Sequence, residues 1–213
     1  MRRTRPHSTD DVLPCTWQPR SVCAGCPTDE RLMCRFDKAD LVSFFMVIFP
    51  FGVTSVAGMI RAGLGRYLWF WIAYMGFFFF VWEARVLCRH CPFWAEPSKA
   101  LHCHANYGVF KLWRYDPRPM TRAEGIQFII GALLFVAFPF PFLLVGGEYL
   151  LAAIALSAAI SGTYALERHI CTRCVHFTCP LNGVPKPLVD AYLSRNPAIR
   201  EAWEASGYRL YET

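Results

Sequence analysis

Four long apolar runs, at 41–60, 67–87, 125–145 and 149–166, decide most of what this chain can become. A helix needs about 20 mainly apolar residues to cross the hydrocarbon core of a bilayer, within a range of about 17–25. Each run meets that length. Inside lipid every backbone polar group needs an internal partner, so a spanning segment of this length is helical. The chain has 213 residues, of which 54% are hydrophobic and 18% charged. That leaves too little polar surface to wrap four such helices as a soluble core. The predicted fold is therefore all-α: a four-helix transmembrane bundle with polar segments outside it.

The connections organise the runs. The links at 61–66 and 146–148 are short, which predicts two antiparallel hairpins. A polar segment, 1–40, precedes the membrane domain at 41–166. A longer loop, 88–124, joins the hairpins, and a tail, 167–213, follows. Residues 1–40 lack the short apolar stretch and cleavage site of a secretory signal. Thr121-Arg-Ala-Glu124 reads as a capping box opening the third helix. Pro50, Pro139 and Pro141 fall within spans, where they are expected to kink the helix. In the tail, Asn196-Pro197 marks a helix start and Gly207 a stop.

Charge sets the orientation. Of the 22 Lys and Arg residues, only Arg61 and Arg66 fall on the outer side of the hairpins, leaving twenty on the other. Positive loops stay cytoplasmic. Both termini and all ten cysteines are thus expected on the cytoplasmic face of a cell (inner) membrane. The same bias accounts for the net charge of +6 without nucleic acid. The basic face would attract anionic lipid headgroups of the bilayer.

The cysteines carry the chemistry. One pattern, R-x-x-C-x-x-C, occurs twice: Arg85 to Cys91 and Arg168 to Cys174, each after an even-numbered span. A third cysteine trails each pair, Cys103 and Cys179. Four more, Cys15, Cys23, Cys26 and Cys34, are spaced C-x7-C-x2-C-x7-C in the N-terminal segment. Thiols on the cytosolic side are kept reduced, which argues against structural disulfides. Metal binding is the expected role, as iron–sulfur clusters, [4Fe–4S] foremost, with zinc as the alternative. A bound metal would also supply folding energy to an N-terminal segment too short for its own core. Cys26, Cys91 and Cys179 are each followed by proline, as is the last cysteine of the bacterial ferredoxin run.

Ligand arithmetic leaves two divisions open. Cys88, Cys91 and Cys103 could form one site and Cys171, Cys174 and Cys179 another, each needing a fourth ligand. Alternatively the two C-x-x-C pairs could meet between the hairpins in one four-thiolate site. His90, His102, His104, His169 and His176 lie near these cysteines, and each reads first as a supporting or surface group. Glu83, Arg85, Glu167 and Arg168 sit at the inner ends of the second and fourth spans. They are expected to anchor at the interface, or else to line a cluster or a quinone head group. Trp69, Trp71, Tyr74, Trp82 and the Phe77–Phe80 run suit lipid contact or a quinone pocket. Leu188, Tyr192, Ile199 and Trp203 are expected to pack. No histidine lies within a span, and no C-x-x-C-H, Walker, G-x-G-x-x-G or H-E-x-x-H motif occurs.

Four spans, both ends inside and Cys-Pro after membrane helices resemble the membrane-bound ferredoxin-type quinol dehydrogenases of nitrate and nitrous-oxide reduction. In that family paired C-x-x-x-C-P motifs face the cytoplasm. Cys88-Arg89-His90-Cys91-Pro92 is one residue shorter, and Cys174 to Cys179-Pro180 one residue longer. The family's ferredoxin run is absent. The resemblance implies clusters exchanging electrons with a quinone and a redox partner subunit. The residues alone also allow a zinc-stabilised membrane scaffold or assembly protein, or a thiol redox enzyme using a C-x-x-C pair.

Overall fold

The computed structural model describes residues 13–211. Arg2, Arg3 and Arg5 of the charge tally lie outside the described residues. Four helices are long and apolar enough to cross a membrane: α1 (Lys38–Arg61), α2 (Gly65–His90), α3 (Arg122–Val145) and α4 (Tyr149–Cys171). Two shorter helices follow, α5 (Lys186–Ser194) and α6 (Pro197–Ala205). Among the described residues there is no strand, only an isolated bridge between Ala100 and Phe110. The all-helical fold and its four membrane-length helices are those the apolar runs predict.

Local chemistry sets the helix ends. Asp37 caps α1, its carboxylate accepting from the Ala39 N–H at 2.8 Å. The box at Thr121 forms as read: Glu124 Oε2 accepts from Thr121 N–H at 2.9 Å and Thr121 Oγ1 from Glu124 N–H at 3.3 Å. Pro139 begins a new helical stretch within α3. Both even-numbered spans carry a wider π-type turn near their cysteine-bearing ends, Phe78–Trp82 in α2 and Leu166–Cys171 in α4. Such turns re-aim the side chains around them and recur at functional sites. Hydropathy, which has no phase at this resolution, gives no sign of them.

The bundle closes on itself. Its most extensive side-by-side packing is between α1 and α4, the first and last spans, rather than within a sequence-adjacent pair. Small residues allow it. A methyl added at Gly58 would sit 3.4 Å from Leu151 Cβ, and one at Gly162 3.2 Å from the Val47 carbonyl oxygen. Gly131 of α3 leaves room for the ring of Phe78 on α2. Polar atoms in the bundle find backbone partners: Trp71 Nε1–H donates to Phe135 O at 3.0 Å and Tyr74 O–H to Gly131 O at 2.9 Å. Large apolar side chains face outward from the spans, Phe49, Trp69 and Leu150 among them, as lipid contact requires. Trp69 is thus a lipid-facing ring, whereas Trp71 is internal.

The polar segments meet at one end. The N-terminal segment, the loop after α2 and the tail share one core that includes Leu32, Trp94, Leu101, Val175, Tyr192 and Trp203. Hydrogen bonds cross between them: Met33 N–H to Arg173 O at 2.7 Å, Trp17 Nε1–H to Pro92 O at 3.0 Å, and Thr16 with the Tyr192 hydroxyl at 3.0 Å. At the opposite end Arg61 pairs with Glu148 at 3.2 Å. Leu188, Tyr192, Ile199 and Trp203 are all buried in the shared core, the packing role expected for them.

Candidate functional site

Every described cysteine thiol is free, and all ten fall within the described residues. Electrostatic neighbourhood sorts them into four plus six. Cys34 responds to Cys15, Cys26 and Cys23, and Cys15 to Cys26 and Cys23. Cys91 responds to Cys103, Cys174 and Cys88, and Cys174 to Cys179, Cys103 and Cys171. Both R-x-x-C-x-x-C repeats and both trailing cysteines therefore belong to one neighbourhood, and the N-terminal four to another. Among the described residues, no three His, Cys, Asp or Glu side chains are drawn together as a metal-ion ligand set. The two observations differ in range: charges interact over many ångströms, whereas a thiolate sits about 2.3 Å from zinc. The structure thus gives grouping and burial of the thiols, and not a coordination geometry.

The N-terminal four are held by a chain of turns. Cys23-Ala-Gly-Cys26 closes through the Cys26 N–H on Cys23 O at 2.9 Å. Gly25 takes φ +69°, a left-handed conformation that suits glycine. Arg35 donates to Cys23 Sγ through Nη2 at 3.2 Å and Nε at 3.4 Å. Burial pushes Cys34 up to about 12, with the neighbouring thiols adding to it. Cys26 moves the other way: burial opposes its ionisation, but the Thr28 hydroxyl at 3.1 Å and nearby backbone N–H groups outweigh it. The tail supports this group. Asn196 Oδ1 accepts from Cys15 N–H at 2.7 Å, and its Nδ2 donates to Cys15 Sγ at 3.4 Å. Asn196 begins α6 as its position predicts, yet its side chain makes no cap bond and is used here instead.

Two of the six, Cys88 and Cys91, are more deeply set. Both are buried members of the shared core, with Cys103 packed against it, while Cys179 packs beside Val86, Leu87 and Phe128. Burial raises Cys91, Cys103, Cys174 and Cys179, the last to about 12. Asn106 Nδ2–H donates to Cys88 Sγ at 3.3 Å. Without a cation such thiols are neutral and behave as small apolar groups. Bare polar atoms around them point to more than packing. Glu83 Oε2, Tyr115 O–H and His176 Nδ1 are buried with no hydrogen-bond partner, and a fourth such atom, Ser55 Oγ, lies in α1. Buried polar groups are normally paired, and each orphan costs about 1–3 kcal/mol. Thiols and bare polar atoms are donor types that metal centres use, but no ligand set is drawn together among the described residues.

The histidines divide. His90 Nδ1 lies 2.9 Å from Arg118 O, and its Nε2 accepts from Arg89 Nε at 3.1 Å. His102 Nδ1 pairs with Glu96 at 2.7 Å. His104 Nε2 lies 3.0 Å from Arg35 O and its ring stacks on Phe36. His169 is exposed. Three of these four are held by hydrogen bonds and the fourth is exposed. His176 differs: Nε2 bonds Leu87 O at 2.8 Å, while Nδ1 is bare.

No protein-family description, curated protein or solved structure matches this chain.

The charges at the inner span ends also divide. Arg85 stacks over Trp113 and Arg168 over Tyr164, at 5.5 and 5.4 Å, the matching positions of the two repeats. Glu167, beside Arg168, is exposed. Glu83 is not: it is 7% exposed. Tyr115 and Asn106 went unread in the sequence, because single polar residues in a loop carry no period or spacing.

Proposed function

We propose that this chain is a multi-pass membrane metalloprotein, inserted as two hairpins, that carries electrons between a partner on its cysteine-bearing side and a membrane quinone or partner subunit. The observation that carries the reading is that Cys88, Cys91 and Cys103 lie in or against the core shared by the polar segments, while Glu83 Oε2, Tyr115 O–H and His176 Nδ1 are buried without hydrogen-bond partners. Cys15, Cys23, Cys26 and Cys34 form a second candidate centre. Iron–sulfur clusters would supply one-electron carriers at these positions. The surrounding residues do the rest: the shared core keeps water from Cys88 and Cys91, Asn106 orients Cys88, and Asn196 fixes Cys15 to the tail. Twenty Lys and Arg residues on the cysteine side support a cytoplasmic location for that side and for both termini.

The test is anaerobic purification in detergent. Iron with acid-labile sulfide, a broad absorption in the near ultraviolet and visible, and an electron paramagnetic resonance signal on reduction are the expected results. Colourless protein holding stoichiometric zinc would replace electron transfer with a zinc-stabilised scaffold. Metal-free protein with one strongly acidic, reactive thiol would instead favour thiol redox chemistry. A periplasmic-only reporter fused after Thr213 should stay silent; activity there would reverse the orientation.

A further inference from the structure

The loop after α2 contains a short extended segment, Val109 to Arg114, whose two faces are the reverse of a water-exposed edge. Ala100 and Phe110 form the isolated antiparallel bridge, and Lys111 N–H donates to Lys99 O at 2.9 Å. Extended backbone sends alternate side chains to opposite faces. Val109, Lys111 and Trp113 turn inward, and Val109 is buried. Lys111, its side chain only 9% exposed, donates from Nζ to Glu96 O at 2.7 Å and lies 3.6 Å from the Glu96 carboxylate. Phe110, Leu112 and Arg114 turn outward, Phe110 at 65% and Leu112 at 63% exposure. Against water the lysine belongs outside and the phenylalanine and leucine inside.

Trp113 gives the depth of that outward face. Its Nε1–H donates to Val81 O at 3.3 Å, and its carbonyl accepts from Trp94 Nε1–H at 2.9 Å. Arg85, four residues further along α2, lies 5.5 Å from the Trp113 ring centroid. α2 begins at Gly65, and at about 1.5 Å per residue Val81 lies roughly 24 Å along it, short of the ~30 Å of a hydrocarbon core. Trp113 therefore sits at the cysteine-side boundary of the bilayer, the level at which tryptophan rings gather. Phe77 and Phe80 on the same span are exposed, so the lipid-facing surface of α2 reaches that level. Leu112 is the next residue to Trp113 and points away from the protein there.

We propose that Phe110 and Leu112 insert into the cysteine-side leaflet, with Arg114 at the level of the lipid phosphates, so that this loop is a docking edge for anionic phospholipid. Continuity with the lipid-facing spans and the positive charge of Arg114 select that occupant. The inference needs the spans in a bilayer and is independent of any metal.

The test replaces Phe110 and Leu112, one at a time, with photo-reactive benzoylphenylalanine. The full chain is reconstituted in vesicles of phosphatidylcholine and phosphatidylglycerol and irradiated, and its adducts are identified by mass spectrometry. Trp69, a lipid-facing ring near the opposite end of α2, carries the same probe as a positive control, and Glu201, exposed on α6, as a negative one. Size-exclusion elution before reconstitution reports folding. The expected result is phospholipid adducts at the Phe110 and Leu112 positions in about tenfold excess over the Glu201 position. Phosphatidylglycerol should be enriched among them over its share of the vesicle, and Arg114→Gln should abolish that enrichment. Lipid adducts at the Trp69 position, with none at Phe110 and Leu112 above the Glu201 level, would overturn the docking edge and leave the spans in the membrane. A cross-linked second copy of this chain in place of lipid would overturn it as well. No lipid adduct at any of the four positions would overturn the membrane reading with it. If one of the two variants fails to fold, the other decides, since each position is read alone.

Discussion

Replacing Asn196 with alanine should loosen the four-cysteine segment and leave the six-cysteine group untouched. Asn196 is 4% exposed and makes three contacts outside its own helix backbone. Oδ1 accepts from Cys15 N–H at 2.7 Å, and Nδ2 donates to Tyr192 O at 2.7 Å and to Cys15 Sγ at 3.4 Å. Truncation leaves the Cys15 N–H bare at a cost of about 1–3 kcal/mol. The Tyr192 carbonyl keeps a second donor, Arg195 N–H at 3.1 Å, so its loss is about 1 kcal/mol. The sum is about 2–4 kcal/mol against local opening, roughly 30- to 700-fold in the open population. Arg195 Nη2 on Val22 O at 2.7 Å and the Thr16–Tyr192 bond remain as tethers, which favours the lower end. The assay is maleimide labelling in detergent, with each cysteine followed by mass spectrometry. Cys15 and Cys34 should label at least tenfold faster, with Cys88 and Cys91 unchanged. A change below threefold at Cys15, or an equal rise at all ten cysteines, would refute the reasoning.

Three further outcomes test the packing and the tail. Gly131→Leu drives a side chain into the buried ring of Phe78, and overpacking of this kind costs about 1–3 kcal/mol; a lower thermal midpoint in detergent checks it, and an unchanged midpoint would mean α2 and α3 do not meet there. Thr121→Ala removes one half of the capping box and should cost about 1 kcal/mol, with Thr121→Ser restoring most of it, read by the same melt. Asp190 is held below its ordinary value of 3.8: burial opposes this, but Lys186 at 2.6 Å, the Tyr208 hydroxyl at 2.7 Å and the Tyr211 N–H at 3.2 Å outweigh it. A depressed carboxylate contributes stability that is present above the unfolded value and lost as pH falls below it. Tail proteolysis should therefore accelerate below about pH 4 in wild-type protein, while Asp190→Asn should be cleaved faster already at pH 7 and respond less to acid.

What could be read in the sequence, and what could not, follows from the range of each signal. The four spans were legible because hydrocarbon thickness fixes a length, and composition over 20 residues reports it directly. The capping box was legible because its partners lie three residues apart. The packing of α1 on α4 was not, because it depends on Gly58 and Gly162 meeting residues far away in sequence. The same limit governed the cysteines. Spacing announced two knuckles but left open whether they act alone or meet. The shared core brings the tail from Val175 to Trp203 against the loop holding Cys88 and Cys91, a contact between segments that spacing does not encode. Glu83 and Glu167 show the limit most sharply. Both occupy the inner end of an even-numbered span, two residues and one residue before the arginine of the repeat. One is buried and bare, the other exposed, and that single-residue offset beside a π-type turn separates a buried carboxylate from a surface one. A hydropathy profile averages over that offset, so the division of labour between two nearly identical motifs becomes visible only when side chains are placed.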